Sequence, residues 1–278
     1  MMKKRTWLVT GASSGLGKAL VEQLLLKEQH VIATFRAQEQ VDAFNEGVVE
    51  QGMAFRIDLS DPISITNGVQ EVFTQIGQID VLVNNAGYGM AGAIEETSME
   101  EFRGIMETNF FGTLALTRAL LPKFRKQGNG HIVQISSHGG VKAFPGFGAY
   151  NASKFALEGF SEALQGEVTP MGIHLTIVEP GPFRTEFAGT GFKLAGEQIA
   201  AYSDTAGIFR EKIKSVDGKQ EGDPSKGAQA IIEMVNQPNP PLRLPLGKIA
   251  LDTITTKADS LLQDVQQGRQ TAEQAVFA

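Results

Sequence analysis

The sequence predicts an α/β fold, a doubly wound parallel sheet of about seven strands with helices on both faces. Three observations carry this expectation. Short apolar runs alternate with helix-patterned segments along the chain, as in parallel sheets covered on both sides. A glycine turn joins the first strand to the first helix, and the residues able to do chemistry fall at the carboxyl ends of strands or on the helices that follow. Right-handed crossovers bring those ends to one edge of the sheet, where ligands of such folds bind.

The elements follow in order. Trp7-Leu8-Val9-Thr10 is a strand running into Gly11-Ala12-Ser13-Ser14-Gly15-Leu16-Gly17, and Lys18–Lys27 is helical. Glycine permits positive φ and close approach of a phosphate, and the helix behind offers unpaired N–H groups to a pyrophosphate. His30–Thr34 is the second strand. Arg36 stands at its end, where an acid would favour NAD and an arginine the 2′-phosphate of NADP; a merely solvated arginine fits the sequence too. Ala54–Ile57 leads to Asp58, and Asp61-Pro62 opens a helix by N-cap and first-turn proline. Val81-Leu82-Val83 runs into Asn84-Asn85-Ala86-Gly87, where asparagines can equally serve as scaffold.

Ser98 caps a long helix to Leu121, with Glu101 at the capping-box position. Asn109 in its middle is unfavoured for a helix; two explanations are open, a surface position or an amide that holds a water near the site. Ile132–Ile135 and His174–Val178 are the fifth and sixth strands. From Pro182 to Gly222 the sequence predicts a substrate-covering segment with two short helices and no strand. Asp223-Pro224 starts a helix to Val235, Leu242–Leu244 is the last strand, and the tail after Lys257 is helical and then frayed.

The chain of 278 residues suits one domain, 1–278, with the covering segment at about 182–222. A net charge of −6 points away from nucleic acid and anionic membranes. With no cysteine, disulfides and thiolate chemistry are excluded, which fits a cytoplasmic protein. The basic start, Met1 to Arg5, precedes an apolar run too short for a signal core. No stretch approaches the ~20 apolar residues of a membrane span. His30, His131, His138 and His174 lack metal-ligand spacing, so no metal is expected.

The stretch Gln134–Lys154 joins the fifth strand to the next helix. Tyr150 and Lys154, four apart, share one helix face. An ammonium beside a phenol stabilises the phenolate and lowers its pKa toward the useful range for proton transfer. Ser137, at the strand mouth, can donate to a substrate oxygen carrying developing charge. Phe144, Phe147, Phe183, Phe187 and Phe192, with Tyr88 and Met90 opposite, suggest an apolar pocket, although each phenylalanine equally suits packing of the cover on the core. Substrate-pocket candidates are Tyr88, Met90, His138, Phe144, Phe147 and Phe187. Arg184 and Lys193 can bind an acidic substrate or be solvated.

In these motifs the sequence resembles the classical short-chain dehydrogenase/reductase family, a Rossmann-fold family, from about Lys4 to Thr185. By that resemblance Asn109, Ser137, Tyr150 and Lys154 are the catalytic four. Tyr150 exchanges the proton, Lys154 lowers its pKa and holds the nicotinamide ribose, Ser137 orients the reacting oxygen, and Asn109 anchors a water. The implied cofactor contacts are Gly11, Ser13, Ser14, Gly15, Leu16, Gly17, Arg36, Asp58, Leu59, Asn85, Ala86, Gly87, Tyr150, Lys154, Pro180, Gly181, Phe183 and Thr185. The expected activity is NADP(H)-dependent interconversion of a carbonyl and an alcohol on an apolar small molecule, with NADP favoured over NAD. An NAD-dependent alcohol dehydrogenase and a non-catalytic dinucleotide sensor are the alternatives; an epimerase or dehydratase fits less well, because the turn reads G-x-x-x-G-x-G. Thr34-Phe35-Arg36 and Lys154–Gly159 look most like hydroxysteroid and retinol dehydrogenases, and the family implies a homodimer or homotetramer.

Overall fold

In the computed structural model, which describes residues 3–47, 50–189 and 191–277, apolar strands and helices alternate as the sequence pattern requires. The chain runs β1 (Thr6–Thr10), α1 (Gly15–Leu26), β2 (His30–Phe35), α2 (Gln38–Gly47), β3 (Gly52–Arg56), α3 (Pro62–Ile76), β4 (Val81–Asn84) and β5 (Gly89–Ala91). It continues through α4 (Met99–Met106), a π-helical turn (Glu107–Gly112), α5 (Thr113–Gln127), β6 (Gly130–Ile135), α6 (Gly148–Val168) and β7 (Ile173–Pro180). Then come β8 (Phe192–Leu194), α7 (Ile208–Val216), α8 (Pro224–Val235), β9 (Arg243–Leu246) and α9 (Lys248–Glu273). Met1 and Met2, the start of the basic stretch, lie outside the described residues.

Seven strands form one parallel sheet in the order β3-β2-β1-β4-β6-β7-β9. The two-residue period of a strand explains its two cores. Trp7 and Val9 of β1 join Leu20, Leu24, Ile231 and Ile232 on the face covered by α1 and α8. Leu8, between them, joins Val72, Leu116, Leu120 and Leu164 on the face covered by α3, α5 and α6. Helix starts are fixed locally: Asp61 accepts from the Ile63 N–H ahead of α3, Ser98 and Glu101 close a capping box on α4, and Asp223 caps α8.

Two expectations need correcting. The helix expected from Ser98 to Leu121 is broken by the π turn, which inserts an extra residue at Asn109 and carries the helix on to Gln127. The covering segment, expected to hold no strand, contains β8, which pairs in parallel with β5. The pairing depends on Gly89, where a Cβ would lie 2.6 Å from the Phe192 ring. Three-residue strands built around a glycine carry no alternation for a sequence pattern to show. Among the described residues no helix is long and apolar enough to cross a membrane.

Candidate active site

The carboxyl ends of β1, β4, β6 and β7 open into one cavity of about 320 Å³. The glycine turn forms its floor. Gly11 and Gly15 have φ of +66° and +58°, values that a side chain rarely adopts. A Cβ at Gly17 would sit 2.3 Å from Asn85 Nδ2 and 2.4 Å from the Gly11 carbonyl, so only glycine lets α1 start here. Ser14, the N-cap of α1, makes no side-chain cap, which leaves the first-turn N–H groups open toward the cavity. This is a cradle for an anion such as a diphosphate.

Asn85 and Thr10 hold that cradle. Thr10 Oγ1 accepts from the N–H groups of Asn85 and Ala86 at 2.9 and 3.0 Å. Asn85 Nδ2 donates to the carbonyls of Thr10 and Gly11 at 2.9 and 3.1 Å. The Asn85 amide donors are thereby committed to scaffold. Asn84, one residue earlier at the end of β4, is likewise scaffold, donating to Thr117 Oγ1 of α5 at 2.9 Å.

Ser137, Tyr150 and Lys154 all line the cavity. Ser137 Oγ accepts from the Gly139 N–H at 2.9 Å, so its own hydrogen is free to donate. Lys154 Nζ donates to the Ile135 carbonyl at 2.8 Å and keeps two further donors. Tyr150 lies in an aromatic nest: Phe147 stacks on it with centroids 4.2 Å apart, and Phe187 meets it edge-on at 5.7 Å. Phe192 and Phe209, from the covering segment, pack on Phe147 in turn.

The electrostatics differ from expectation. Burial pushes the Tyr150 phenol up to about 12, with the Ser137 hydroxyl pulling the other way. Burial also lowers the Lys154 ammonium to about 8, opposed by the Glu158 carboxylate. In this structure, then, the tyrosine is raised rather than lowered, because burial dominates; the Lys154 ammonium lies 5.9 Å from the ring centroid. His138 is lowered to about 4 by burial and Lys142, and is therefore neutral at neutral pH.

Asn109 stands outside the cavity lining, buried inside the π turn. Its Oδ1 accepts from the Tyr88 N–H at 3.0 Å, and its Nδ2 donates to the Tyr88 carbonyl and to Ser153 Oγ at 3.0 and 3.1 Å. Both amide hydrogens are used, and the amide ties the loop after β4 to α6. Its burial excludes the surface position.

The other candidates divide. Gly11, Ser13, Ser14, Gly15, Leu16, Asn85, Ala86, Gly87, Pro180, Gly181, Phe183 and Thr185 line the cavity, as do His138, Phe147 and Phe187. Tyr88, Met90 and Phe144 instead pack in a small core with Ile105 behind it. Arg36, Asp58 and Leu59 lie beyond the lining. Asp58 Oδ1 accepts from the Ser60 N–H and hydroxyl, and Leu59 is buried against the π turn. Arg36 is exposed, and Arg56 Nε donates to its backbone carbonyl at 3.2 Å, so two arginines stand at the β2 and β3 ends. Of the two basic candidates for an acidic substrate, Lys193 lies over the Tyr88 ring at 4.5 Å and Arg184 donates to the Gln220 carbonyl.

Sequence reasoning missed Glu96. This carboxylate is buried and accepts from Arg210 Nη1 at 2.5 Å, from the Ala93 N–H at 2.7 Å and from the Ile199 N–H at 2.8 Å. Burial alone would raise it, but those bonds carry the balance downward. Together with the Tyr202 hydroxyl on Glu95 and the Gly196 N–H on Glu101, it fastens the covering segment to the body. No motif marks a lone acid of this kind; only the contact reveals it.

A profile of the short chain dehydrogenase family matches residues 5–193. The chain is 37% identical to 3-ketodihydrosphingosine reductase of Bacteroides thetaiotaomicron over 266 residues, covering 95% of each chain. It is 35% identical to human retinol dehydrogenase 8, covering 86% of this chain and 80% of that one. Among solved structures, a short-chain dehydrogenase from Streptomyces avermitilis superposes with a TM-score of 0.91 at 40% identity, covering 98% of this chain and 100% of that one. ElxO with NADP bound superposes at 0.71 with 27% identity, covering 87% and 96%. The cradle at the first β–α turn and the serine, tyrosine and lysine that face it thus stand in a chain that belongs to the short-chain dehydrogenase/reductase family of oxidoreductases.

Proposed function

We propose that the protein is an NADP(H)-dependent oxidoreductase interconverting a carbonyl and an alcohol on an apolar small molecule. The observation that carries this reading is the convergence of Ser137, Tyr150 and Lys154 on the same cavity as the glycine cradle. The dinucleotide supplies or takes the hydride when bound. The chain's own residues do the rest. The first turn of α1, with Gly11 and Gly15, would cradle the diphosphate, and Lys154, with two donors remaining, would hold the ribose. Ser137 donates to the reacting oxygen. Tyr150, protonated at neutral pH, gives its phenolic proton to that oxygen as the carbonyl is reduced and recovers it in the reverse direction. Asn109 acts as a strut, holding the loop before Tyr88 against α6.

Arg36 and Arg56 support NADP over NAD, since no carboxylate occupies the end of β2. The phenylalanines around Tyr150 support an apolar substrate, as do the relatives named for retinol and 3-ketodihydrosphingosine. Residues 182–222 act as the substrate cover of a single domain, and the protein works in the cytoplasm as a homodimer or homotetramer.

Tyr150→Phe tests the proposal. It should abolish NADPH-dependent reduction across a panel of aromatic and aliphatic ketones and aldehydes while NADPH still binds in a fluorescence titration. Retained turnover would refute the proton-transfer role.

A further inference from the structure

One turn beyond Lys154, α6 presents Glu158, a carboxylate that is buried yet does not line the cavity. It belongs to a cluster drawn from three elements. Arg243 Nη1, from β9, donates to Glu158 Oε2 and to Glu179 Oε1 of β7, each at 2.5 Å, and Nη2 donates to Glu162 Oε2 at 3.0 Å. The Glu179 side chain is completely buried and that of Glu158 nearly so, whereas Arg243 reaches the surface beside Glu162.

Lys154 and Glu158 both approach the end of β6. Positions four apart share a helix face. Lys154 bonds the Ile135 carbonyl, and the next residue, Ser136, brings its hydroxyl to the place Glu158 occupies: a Cβ on Gly140 would lie 2.5 Å from Ser136 Oγ and 3.1 Å from Glu158 Oε1. The groups that share this surrounding are few. Tyr150 and Glu158 come from α6, Glu179 from β7, Arg243 from β9 and neutral His138 from the turn after β6. The π turn and the loop after β4 bring only Asn109 and Gly87, neither of them charged. Two cations, Lys154 and Arg243, thus face two buried carboxylates, Glu158 and Glu179, with the more exposed Glu162 on the outer side of Arg243.

Buried ion clusters seldom stabilise a fold better than apolar packing would. This one lies directly behind the lysine of the candidate active site. We propose that Glu158 is a positioning residue that keeps Lys154 in its ammonium form, and that Arg243 and Glu179 set how much of the Glu158 charge the lysine feels. The inference rests on the role proposed above for Lys154. Burial raises both carboxylates, Glu179 to about 7 with the Glu158 charge adding to it, while Arg243 holds them down.

The test is nitrogen NMR of the full chain carrying labelled lysine, with Lys154→Met identifying the signal, beside the pH profile of NADPH-dependent reduction. Glu158→Gln keeps the shape and removes the charge, so the lysine should lose its proton about one pH unit lower, and the alkaline limb of the profile should follow. Glu158→Asp keeps the charge and should hold both near their original pH. Loss in Glu158→Gln and recovery in Glu158→Asp are the signature that a structural role alone would not give. Glu179→Gln, which removes the second carboxylate, should give a smaller downward shift. A Lys154 signal titrating at an unchanged pH in Glu158→Gln overturns the inference. A signal that moves as stated while Lys154→Met keeps full turnover overturns the catalytic reading of Lys154 alone.

Discussion

The ring of Phe147 lies flat on the ring of Tyr150, 4.2 Å between centroids and 17° from parallel. Phe147 is the N-cap residue of α6 and Tyr150 sits in its first turn, so the helix start itself builds the stack. Phe147 therefore contributes both to packing and to the desolvation that raises the phenol. Phe147→Ala should cost ~3–5 kcal/mol of stability and bring the Tyr150 titration down from about 12 toward the ordinary 10. Thermal unfolding and an ultraviolet phenolate titration, referenced to the Tyr150→Phe protein, measure the two effects. An unchanged titration would mean that another group keeps the phenol dry.

Lys154 and Tyr150 should give alkaline stability opposite slopes. The folded lysine releases its proton near 8, the unfolded one at 10.5. Between those values the unfolded chain binds more protons, so stability rises with pH. The folded tyrosine holds its proton to about 12 against 10 unfolded, so from 10 upward its contribution falls. Urea midpoints measured across this range should climb and then drop, and Lys154→Met should lose the climb. A climb that survives in that variant would assign it to another group.

Much of this arrangement is legible in the sequence. Strands such as Trp7–Thr10 and Ile132–Ile135 announce themselves by apolar runs, because burial on both faces favours apolar side chains even where a polar residue such as Thr10 or Gln134 is included. The glycine cradle and the Tyr150–Lys154 face follow from spacing alone. What escaped depends on contacts between distant segments. The β5–β8 pair joins residue 89 to residue 192, and the Glu96–Arg210 pair spans a comparable distance. The direction of the Tyr150 shift escaped too, since spacing shows the ammonium but not the phenylalanines that dry the site.

Arg36 should discriminate between the two dinucleotides. Losing a charge-assisted contact to the 2′-phosphate predicts that Arg36→Ala weakens NADPH by roughly tenfold or more while NADH changes little. Paired fluorescence titrations decide the matter, and equal losses would remove Arg36 from cofactor selection.

Arg210 should hold the cover. Removing one partner of a buried ion pair costs ~3–5 kcal/mol, so Arg210→Met should raise hydrogen exchange through 192–207 and increase KM more than it lowers kcat. Glu96→Gln in the same chain should recover part of the loss, because the abandoned charge is then gone. Unaltered exchange in Arg210→Met would show that β8 alone secures the segment.

The place of Arg243 bears on where this chain can be cut. The family profile ends at residue 193, and every residue proposed to contact the reacting atoms lies before it. Yet a chain stopped ahead of β9 would leave Glu158 and Glu179 facing one another in a dry interior with no guanidinium between them. Such a fragment carries all of the proposed chemistry and the mutual repulsion of two carboxylates at its centre. Minimal versions of this protein must therefore keep the final strand, as the counter-charge of the helix that bears Tyr150 and Lys154.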